Sequence, residues 1–312
     1  MTTLAFLFPG QGSQAAGMGK ALFDAEPAAR AVFQEADEAL GISLSTLCFE
    51  GPEAELALTA NTQPAILTTS IAALAVIRER TGLRPVVAMG HSLGEFSALV
   101  AAGALRFPDA VRLVRLRGQA MQEAVAAGVG AMAAVIGMEE DELSEVCVEA
   151  AQGQVCAPAN DNGGGQIVVA GHAEAVTRLI SLVKARERRA IPLKVSAPFH
   201  CALMQPAAQR LRTALAEIEV GPMTIPVVTN VDAEPNDDSS RVAELLVRQV
   251  TERVRWEASV RKAVHMGVAA AVEVGHGKVL AGLVKRIAPE VEVRGAASPD
   301  DIAVLEAWAN GR

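Results

Sequence analysis

The stretch GHSLG at residues 90–94 limits the fold of this chain more than any other feature. A short apolar run, Pro85–Met89, comes directly before it, and a run of helical length and periodicity, Leu93–Gly103, follows. A strand, a tight turn and a helix in this order are typical of α/β proteins with a mostly parallel sheet. The two glycines predict a turn that leaves no room for larger side chains.

The alternation of strands and helices continues through most of the chain. Further strands are predicted at Thr3–Phe8, 225–229 and 269–274. Helical periodicity predicts helices at Ala28–Leu40, Thr62–Arg80, Pro108–Ala127, 201–217, 240–250, 256–266, 278–287 and from Pro299 onwards. We infer a large α/β lobe made of residues 1–128 and 196–312.

Residues 130–194 show a different order of elements. We predict strand 131–136, helix 139–151, strand 154–159, strand 166–170, helix 173–186 and strand 190–195. This β-α-β-β-α-β order is the ferredoxin-like pattern. Residues 129–195 are therefore predicted to form a small lobe inserted into the large one.

Composition and charge narrow the class of protein. Of the 312 residues, 51% are apolar and 21% are charged, as expected for a globular chain with a large core. The net charge of −8 argues against general binding to nucleic acid, which needs a basic surface. The four cysteines form no CxxC pair, which excludes the common zinc frameworks and indicates a reducing compartment. No metal site is predicted.

Two segments bear on localisation. The N-terminal residues MTTLAFLFPGQG have no basic region and too short an apolar run for a signal peptide. Leu56–Ile77 carries no charge, but polar residues and a proline near its start leave only Ala65–Ile77 apolar, shorter than the roughly 20 residues of a membrane span. We expect a cytoplasmic protein without a membrane segment. We also expect a monomer, because no unexplained apolar stripe requires a partner.

Ser92 lies at the centre of a Gly-x-Ser-x-Gly motif in the strand–turn–helix context of a nucleophile elbow. The turn forces a strained backbone conformation on the serine. The N-terminus of the next helix directs free N–H groups and a partial positive charge at the site, which suits an oxyanion. The alternative is a small residue in a structural turn. His91 is interpreted as structural, because its side chain should point away from Ser92.

The loop after the first predicted strand, GQGSQA at 10–15, fits the outline of a dinucleotide-binding fingerprint. That fold needs an acidic residue about 20 residues on, at the end of a second strand. Glu35 has this spacing but falls within a predicted helix. A noncatalytic nucleotide-binding protein therefore remains only as an alternative. In an acyl-transfer enzyme, the same loop can supply a backbone N–H to an oxyanion hole.

Arg117 lies on the apolar stripe of the predicted helix 108–127, three residues after Val114 and four before Met121. An arginine that faces a core must be paired, because an isolated buried charge is costly. Its planar guanidinium group can bind a carboxylate through two parallel hydrogen bonds. The stripe leaves two interpretations open, a structural salt bridge and a binding site for a substrate carboxylate.

A nucleophilic serine needs a base, and the histidines offer two main candidates. His200 stands at the junction between the small lobe and the next helix, and junctions between lobes line clefts. His276 stands in a strand-to-helix turn, Gly275–Lys278. His172 is predicted to lie on the surface of the small lobe, and His265 on a helix. The spacing favours His200 without excluding His276.

Eight stretches of the sequence resemble one family. The chain is similar to the malonyl-CoA:acyl-carrier-protein transacylases of type II fatty-acid synthesis and to the acyltransferase domains of polyketide synthases. The resemblance runs nearly end to end. The matching stretches are FPGQGSQ (8–14), TQPAI (62–66), GHSLGEFSAL (90–99), RLRGQAMQEA (115–124), QIVVAGHAEAV (166–176), SAPFHCALM (196–204), RQVTERVRW (248–256) and EVGHGKVLAGLVKRI (273–287).

The resemblance implies a hydrolase-like α/β lobe combined with a ferredoxin-like lobe, as the element pattern predicts. It also implies a role for individual residues. These are Ser92 as nucleophile, His200 as base, the backbone amides of Gln11 and Leu93 as oxyanion donors, Arg117 as the clamp for the malonyl carboxylate, and the backbone carbonyl of Gln249 as the group that orients His200. An acidic third member of a triad is therefore not expected.

We expect Met121, Asn162 and Phe199 to line the substrate pocket. Phe199 matches malonyl-selecting relatives, since a phenyl ring restricts the room at the α-carbon of the acyl group. The sequence departs from the family at His276, where relatives often have proline, and at Glu252-Arg253, where they often have an asparagine-proline pair. The first departure adds a titratable group near the predicted cleft.

The expected reaction is a ping-pong transfer of malonyl from malonyl-CoA to the phosphopantetheine thiol of acyl carrier protein, without a cofactor. Fatty-acid and polyketide synthesis both use this chemistry. The nearest alternative is a serine hydrolase, an esterase or thioesterase. Arg188, Arg189 and Lys194 form a predicted basic patch for the acidic carrier or for CoA phosphates. The alternative for this patch is a solvated helix end, where cations favour the helix dipole.

Overall fold

The computed structural model describes residues 3–311. A six-stranded sheet with the order β11-β10-β1-β2-β7-β8 forms the centre of the large lobe. Its neighbouring strands are parallel except for the edge pair β7–β8. These strands are β1 (Thr3–Phe8), β2 (Val87–Gly90), β7 (Val227–Val228), β8 (Pro235–Asn236), β10 (Val268–Glu273) and β11 (Glu292–Gly295).

Helices cover both faces of this sheet. They are α1 (Lys20–Ala25), α2 (Pro27–Leu40), α3 (Leu44–Glu50), α4 (Glu53–Leu56), α5 (Thr59–Arg80), α6 (Gly94–Ala101), α7 (Phe107–Glu123), α10 (Gln205–Leu215), α11 (Val242–Thr251), α12 (Trp256–His265), α13 (Val279–Ile287) and α14 (Pro299–Asn310), with 3-10 turns at Ala202–Met204 and Ser239–Arg241. A continuous apolar core lies between the sheet and the group α2, α5, α6 and α7. Strands buried on both faces explain the unbroken apolar runs in the sequence.

Helix α5 is the central helix of this core. It is buried on nearly all sides and packs against α2 and α7. Within the part of the chain that the structure describes, it is the one helix long and apolar enough to cross a membrane, and 83% of its most apolar window is buried inside the protein. Core helices of globular proteins have the same character.

A second sheet has the order β6-β3-β5-β4-β9. The segment 130–192 supplies β3 (Gly130–Ile136), α8 (Glu140–Ala151), β4 (Cys156–Gly163), β5 (Gln166–His172), α9 (Ala173–Ala185) and β6 (Arg189–Pro192). Their β-α-β-β-α-β order and antiparallel pairing confirm the predicted fold class, a mostly parallel α/β lobe plus a ferredoxin-like lobe. The division of the chain after residues 128 and 195 stays a prediction.

Strand β9 (Val254–Arg255) adds a feature that the sequence pattern does not predict. It belongs to the segment after α11, yet it pairs with β4 in parallel, Asn160 opposite Val254 and Asp161 opposite Arg255. The second sheet therefore contains a strand from outside residues 129–195. The other elements missing from the prediction, α1, α3, α4, β8 and β11, are all too short to show a periodic pattern.

Candidate active site

Ser92 occupies the sharp turn between β2 and α6. Its φ angle is +51°, in the left-handed region that non-glycine residues rarely adopt. A Cβ at Gly90 would lie 2.0 Å from the carbonyl carbon of Gly94, and a Cβ at Gly94 would lie 2.0 Å from the Phe8 carbonyl oxygen. Both glycines are thus required by close backbone contacts, and together they allow the strained turn that exposes the serine.

The strained turn is held by two side chains from other elements. The Ser92 N–H donates to Asn230 Oδ1 at 2.6 Å, and Asn230 Nδ2 donates to the Gly90 carbonyl at 2.7 Å. Gln249 Nε2 donates to the Ser92 carbonyl at 3.0 Å. These bonds add to the backbone bond within the turn, from the Glu95 N–H to the Ser92 carbonyl at 3.1 Å, so the serine backbone has a defined position.

His200 lies beside the Ser92 hydroxyl. Its Nε2 is 2.7 Å from Ser92 Oγ, and its Nδ1 donates to the Gln249 backbone carbonyl at 2.7 Å. Because a carbonyl only accepts, the proton resides on Nδ1 and Nε2 is free to accept the serine proton. Burial, reinforced by the charge of Arg117, lowers the pKa of His200 to about 3. The imidazole is therefore neutral and ready to act as a base at ordinary pH.

Arg117 is buried, 2% exposed, on the core-facing stripe of α7. Its Nη1 donates to Gln63 Oε1 at 2.8 Å, and its Nη2 donates to Gln249 Oε1 at 2.9 Å and to Ser92 Oγ at 3.2 Å. Within residues 3–311 it forms no salt bridge, and its Nε has no hydrogen-bond partner. Burial lowers the pKa of Arg117 to about 10, so the guanidinium remains charged. The structural salt bridge left open by the sequence is not formed.

One buried carboxyl lies near this cation without touching it. Glu95, three residues after the nucleophile, accepts hydrogen bonds from Gln249 Nε2 at 2.7 Å and from the Asn230 N–H at 3.0 Å. Burial raises the pKa of Glu95 to about 7, while these donors and the Arg117 charge act in the opposite direction.

A cavity of about 190 Å³ opens beside Ser92, between the two lobes. Every residue predicted for catalysis or the pocket lines it, except Gln249, whose carbonyl acts from behind His200. The lining residues are Gln11, Gln63, His91, Ser92, Leu93, Arg117, Met121, Met132, Asn160, Asn162, Val168, Leu193, Val195, Phe199 and His200. The backbone amides of Gln11 and Leu93 make no hydrogen bond in the described part of the chain, so both are available to an anion.

His91, interpreted from the sequence as a structural residue, lies between the two lobes. It lines the cavity, and its Nε2 lies 2.9 Å from Asn162 Oδ1 on β4 of the small lobe. Its ring also lies against Trp256, with centroids 5.6 Å apart. Burial lowers the pKa of His91, so the ring is neutral and bridges the lobes. The local turn geometry considered in the sequence could not reveal a partner 71 residues away.

The other predicted residues lie outside the cavity. Arg188, Arg189 and Lys194 are exposed and form no ion pair in the described residues. Lys194 is flanked by Leu193 and Val195, which line the cavity, so Lys194 adjoins its edge. His276 does not line the cavity, and burial lowers its pKa. Residues 3–311 contain no group of three histidine, cysteine or carboxylate side chains suited to a metal ion.

Sequence reasoning missed several residues of the site, namely Gln63, Glu95, Asn160 and Asn230. One signal could have found Asn230, which directly follows the predicted strand 225–229. The carboxyl ends of parallel strands meet at one edge of a sheet, and the elbow lies at that edge. Glu95 had no such signal, because an acidic residue in the first helical turn is ordinary.

The fold and the site together define a class of protein. A serine on a nucleophile elbow, a neutral histidine that accepts its proton, and two free backbone amides are the parts of an enzyme that works through an acyl-serine. The same cavity also contains a buried, charged arginine, a group that pairs well with a carboxylate.

Comparison with known proteins agrees with this class. The sequence model of the family "Acyl transferase domain" matches residues 5–304. The Escherichia coli K12 protein named malonyl CoA-acyl carrier protein transacylase is 47% identical over 304 residues, which cover 97% of this chain and 98% of that protein. The Bacillus subtilis protein of the same name is 47% identical and covers 97% and 96%. The chain belongs to the acyl transferase family and, within it, to the malonyl CoA-acyl carrier protein transacylases, as its sequence predicts.

Solved structures give the same result. The Coxiella burnetii malonyl CoA-acyl carrier protein transacylase superposes with a TM-score of 0.96 at 41% identity, covering 98% of this chain and 97% of that one. A malonyl-transacylase solved in complex with its type II PKS acyl-carrier protein has a TM-score of 0.95 at 44% identity and covers 98% and 99%.

Proposed function

We propose that this chain transfers the malonyl group of malonyl-CoA to the phosphopantetheine thiol of acyl carrier protein. One observation carries the proposal, the buried Arg117 without a carboxylate partner beside the Ser92–His200 pair. The relatives named above, which act on these substrates, support the same reaction. The chain supplies all the groups that the chemistry needs, and we propose that it uses no cofactor.

In the first half-reaction, Ser92 Oγ attacks the thioester carbonyl of malonyl-CoA while His200 Nε2 takes the serine proton. The amides of Gln11 and Leu93 stabilise the oxyanion, a contribution worth about 3–4 kcal/mol per donor in comparable sites. The intermediate collapses, the C–S bond breaks, and the CoA sulfur leaves with the proton from His200. A malonyl ester on Ser92 remains.

The carrier thiol completes the reaction by the same steps in reverse. It attacks the malonyl ester, gives its proton to His200, and the Ser92 oxygen leaves with that proton. The carbonyl of Gln249 keeps His200 in one tautomer throughout. This carbonyl stands where the hydrolase alternative predicts a carboxylate, and no specific feature of the site favours hydrolysis.

Arg117 selects the acyl group. A guanidinium has five N–H donors, and three of them are used within the protein, one of these by Ser92 Oγ; one Nη1 donor remains for a carboxylate, whereas the unpaired Nε is fully buried. An acyl group without an anion leaves a buried cation unpaired, which costs about 3–5 kcal/mol, or a hundredfold or more in selectivity. The substrate anion also offsets the Arg117 charge that lowers the pKa of His200, which makes the base stronger when the correct substrate is bound.

The loop GQGSQA serves the oxyanion hole in this proposal rather than a nucleotide. A Cβ at Gly10 would lie 2.3 Å from the His91 carbonyl, so the loop packs directly on the elbow. The next helix begins only at Lys20, which departs from the compact strand-loop-helix of dinucleotide sites.

The proposal also covers the binding partner, the oligomeric state and the cellular location of the enzyme. We propose that the patch of Arg188, Arg189 and Lys194 attracts the acidic carrier, and that the enzyme acts as a cytoplasmic monomer in fatty-acid or polyketide synthesis. Gel filtration with light scattering and cell fractionation test the last two points.

Intact-mass analysis tests the reaction directly. Wild-type protein incubated with malonyl-CoA is expected to gain one malonyl group, and Ser92→Ala to gain none. Arg117→Ala is expected to lose the preference for malonyl-CoA over acetyl-CoA. An unmodified wild type would overturn the mechanism, and rapid loss of the adduct to water without carrier would favour the hydrolase.

A further inference from the structure

The side-chain amide of Gln249 lies between the buried Glu95 and the buried Arg117. Its Nε2 donates to Glu95 Oε2 at 2.7 Å, and its Oε1 accepts from Arg117 Nη2 at 2.9 Å. Glu95 is 1% exposed, Gln249 is fully buried and Arg117 is 2% exposed. The carboxyl and the guanidinium thus interact through an amide instead of forming a direct ion pair.

The chemistry of the two neighbours allows only one orientation of this amide. A guanidinium only donates hydrogen bonds, and the Glu95 oxygen that faces the amide also accepts the Asn230 N–H, so the amide nitrogen must face Glu95 and the amide oxygen must face Arg117. The Ser92 carbonyl, which also accepts from Gln249 Nε2, favours the same orientation. In the flipped orientation, an N–H group would point at the guanidinium and a carbonyl at the carboxylate.

The arrangement leaves Arg117 charged, oriented and partly unoccupied. Gln63 accepts from Nη1 and Gln249 accepts from Nη2, while Glu95 interacts with Arg117 through the Gln249 amide and uses no N–H of the guanidinium. Glu95 also accepts from the N–H of Asn230, whose side chain holds the elbow. A direct Glu95–Arg117 salt bridge would instead compete with the substrate carboxylate for the same donors.

We propose that Glu95 is a positioning residue, which acts through the Gln249 amide to orient Arg117 and so contributes to the preference for acyl groups that bear a carboxylate. The proposal rests on the proposed function, since malonyl is the donor in question. Glu95 does not touch the substrate, so its loss should affect malonyl loading far more than loading of an acyl group without an anion.

Two substitutions separate this role from simple support of the fold. Glu95→Met removes the acceptor at similar side-chain length, whereas Glu95→Gln keeps one acceptor oxygen for the amide. The measurement is kcat/KM for loading of Ser92 by malonyl-CoA and by acetyl-CoA. We expect Glu95→Met to lower the malonyl-to-acetyl ratio by roughly 10- to 100-fold, the value of a hydrogen bond to a charged group, and Glu95→Gln to restore most of it.

Glu273→Met is the matched control. Glu273 is also a buried glutamate that accepts two N–H groups, those of Leu280 and Ala281, but it caps α13 outside the cavity. We expect this variant to keep the wild-type ratio even where its stability falls.

An equal loss of both activities in Glu95→Met, with an unchanged ratio, would overturn the proposal. A ratio as low in Glu95→Gln as in Glu95→Met would do the same, because orientation of the amide would not be the cause. If Glu95→Met does not fold, Gln249→Met keeps the backbone carbonyl for His200 and must itself lower the ratio. If malonyl-CoA did not acylate Ser92 of the wild-type protein, the proposed function itself would be contradicted.

Discussion

The reactive side chains of this enzyme are carried by residues in uncommon backbone conformations. Ser92 and His200 both have positive φ, +51° and +59°. Such conformations cost of order 1–3 kcal/mol each and persist only where the surroundings enforce them. The motif around Ser92 made its strain predictable. The strain at His200 was not predictable from the sequence, because it depends on contacts with α11 that no local pattern encodes.

The choice between His200 and His276 as the base also could not be made from the sequence alone. Both stand at junctions between elements, and spacing alone favoured one without excluding the other. The structure brings His200 to 2.7 Å from Ser92 Oγ, whereas His276 is outside the cavity. Only long-range contacts, such as the hydrogen bond of His200 to the Gln249 carbonyl on α11, decide between them.

The buried, neutral His200 makes stability depend on pH. Its pKa falls from 6.5 to about 3 on folding, so the unfolded chain binds the extra proton between these values. Stability is therefore lost as pH falls below 6.5, by up to about 1.4 kcal/mol per pH unit. Urea unfolding of wild type and His200→Gln at pH 6.5, 5.5 and 4.5 should give a steeper decline for wild type. Parallel declines would show that His200 is not neutral when buried.

At the level of elements, long periodic segments were predictable and short ones were not. Strand β1 and the helices α2, α5 and α7 have patterns that extend over several turns or a full strand. Strands β8 and β9 are two residues each and depend wholly on partners distant in sequence. The elbow was predictable because its glycines are required by steric contacts that any sequence with this turn must satisfy.

Two glycine substitutions with opposite expected effects test this steric argument. Gly94→Ala places a methyl group 2.0 Å from the Phe8 carbonyl oxygen, and overpacking of this kind costs about 1–3 kcal/mol or more. Gly282→Ala, within α13, meets no atom within 4 Å and should stabilise by about 0.5–1 kcal/mol. Thermal and urea unfolding measure both. A Gly94→Ala variant as stable as wild type would contradict the close contact between β1 and α6.

At the level of the whole molecule, the site exists only where the two lobes meet. The large lobe supplies Ser92 and Arg117, and the small lobe supplies Asn162 and much of the apolar lining. The apolar stripe of α7 predicted that Arg117 would be buried. Its freedom from a salt bridge was not predictable, because it depends on Gln63, Gln249 and Glu95 arriving from three separate elements.

The basic patch gives a prediction at this scale. Arg188→Ala combined with Arg189→Ala should lower kcat/KM for the carrier roughly 3- to 10-fold at low salt, since surface charges mainly affect association. Loading from malonyl-CoA should stay within about twofold. Arg84→Ala with Arg106→Ala, which removes two exposed arginines elsewhere, is the control. Unchanged carrier kinetics at low salt would refute the docking role.

Strand β9 gives the cleft an unusual mechanical property. It belongs to the second sheet, yet it begins only three residues after the end of α11, the helix that carries Gln249. A hinge motion that swung the small lobe outward would pull on this segment, and with it on the carbonyl that orients the catalytic histidine. The position of the small lobe is therefore linked to the orientation of His200. An outward motion of this lobe would move the Gln249 carbonyl away from His200 and weaken the base. We therefore expect the flexible phosphopantetheine of the substrates to enter a cavity whose walls do not move apart.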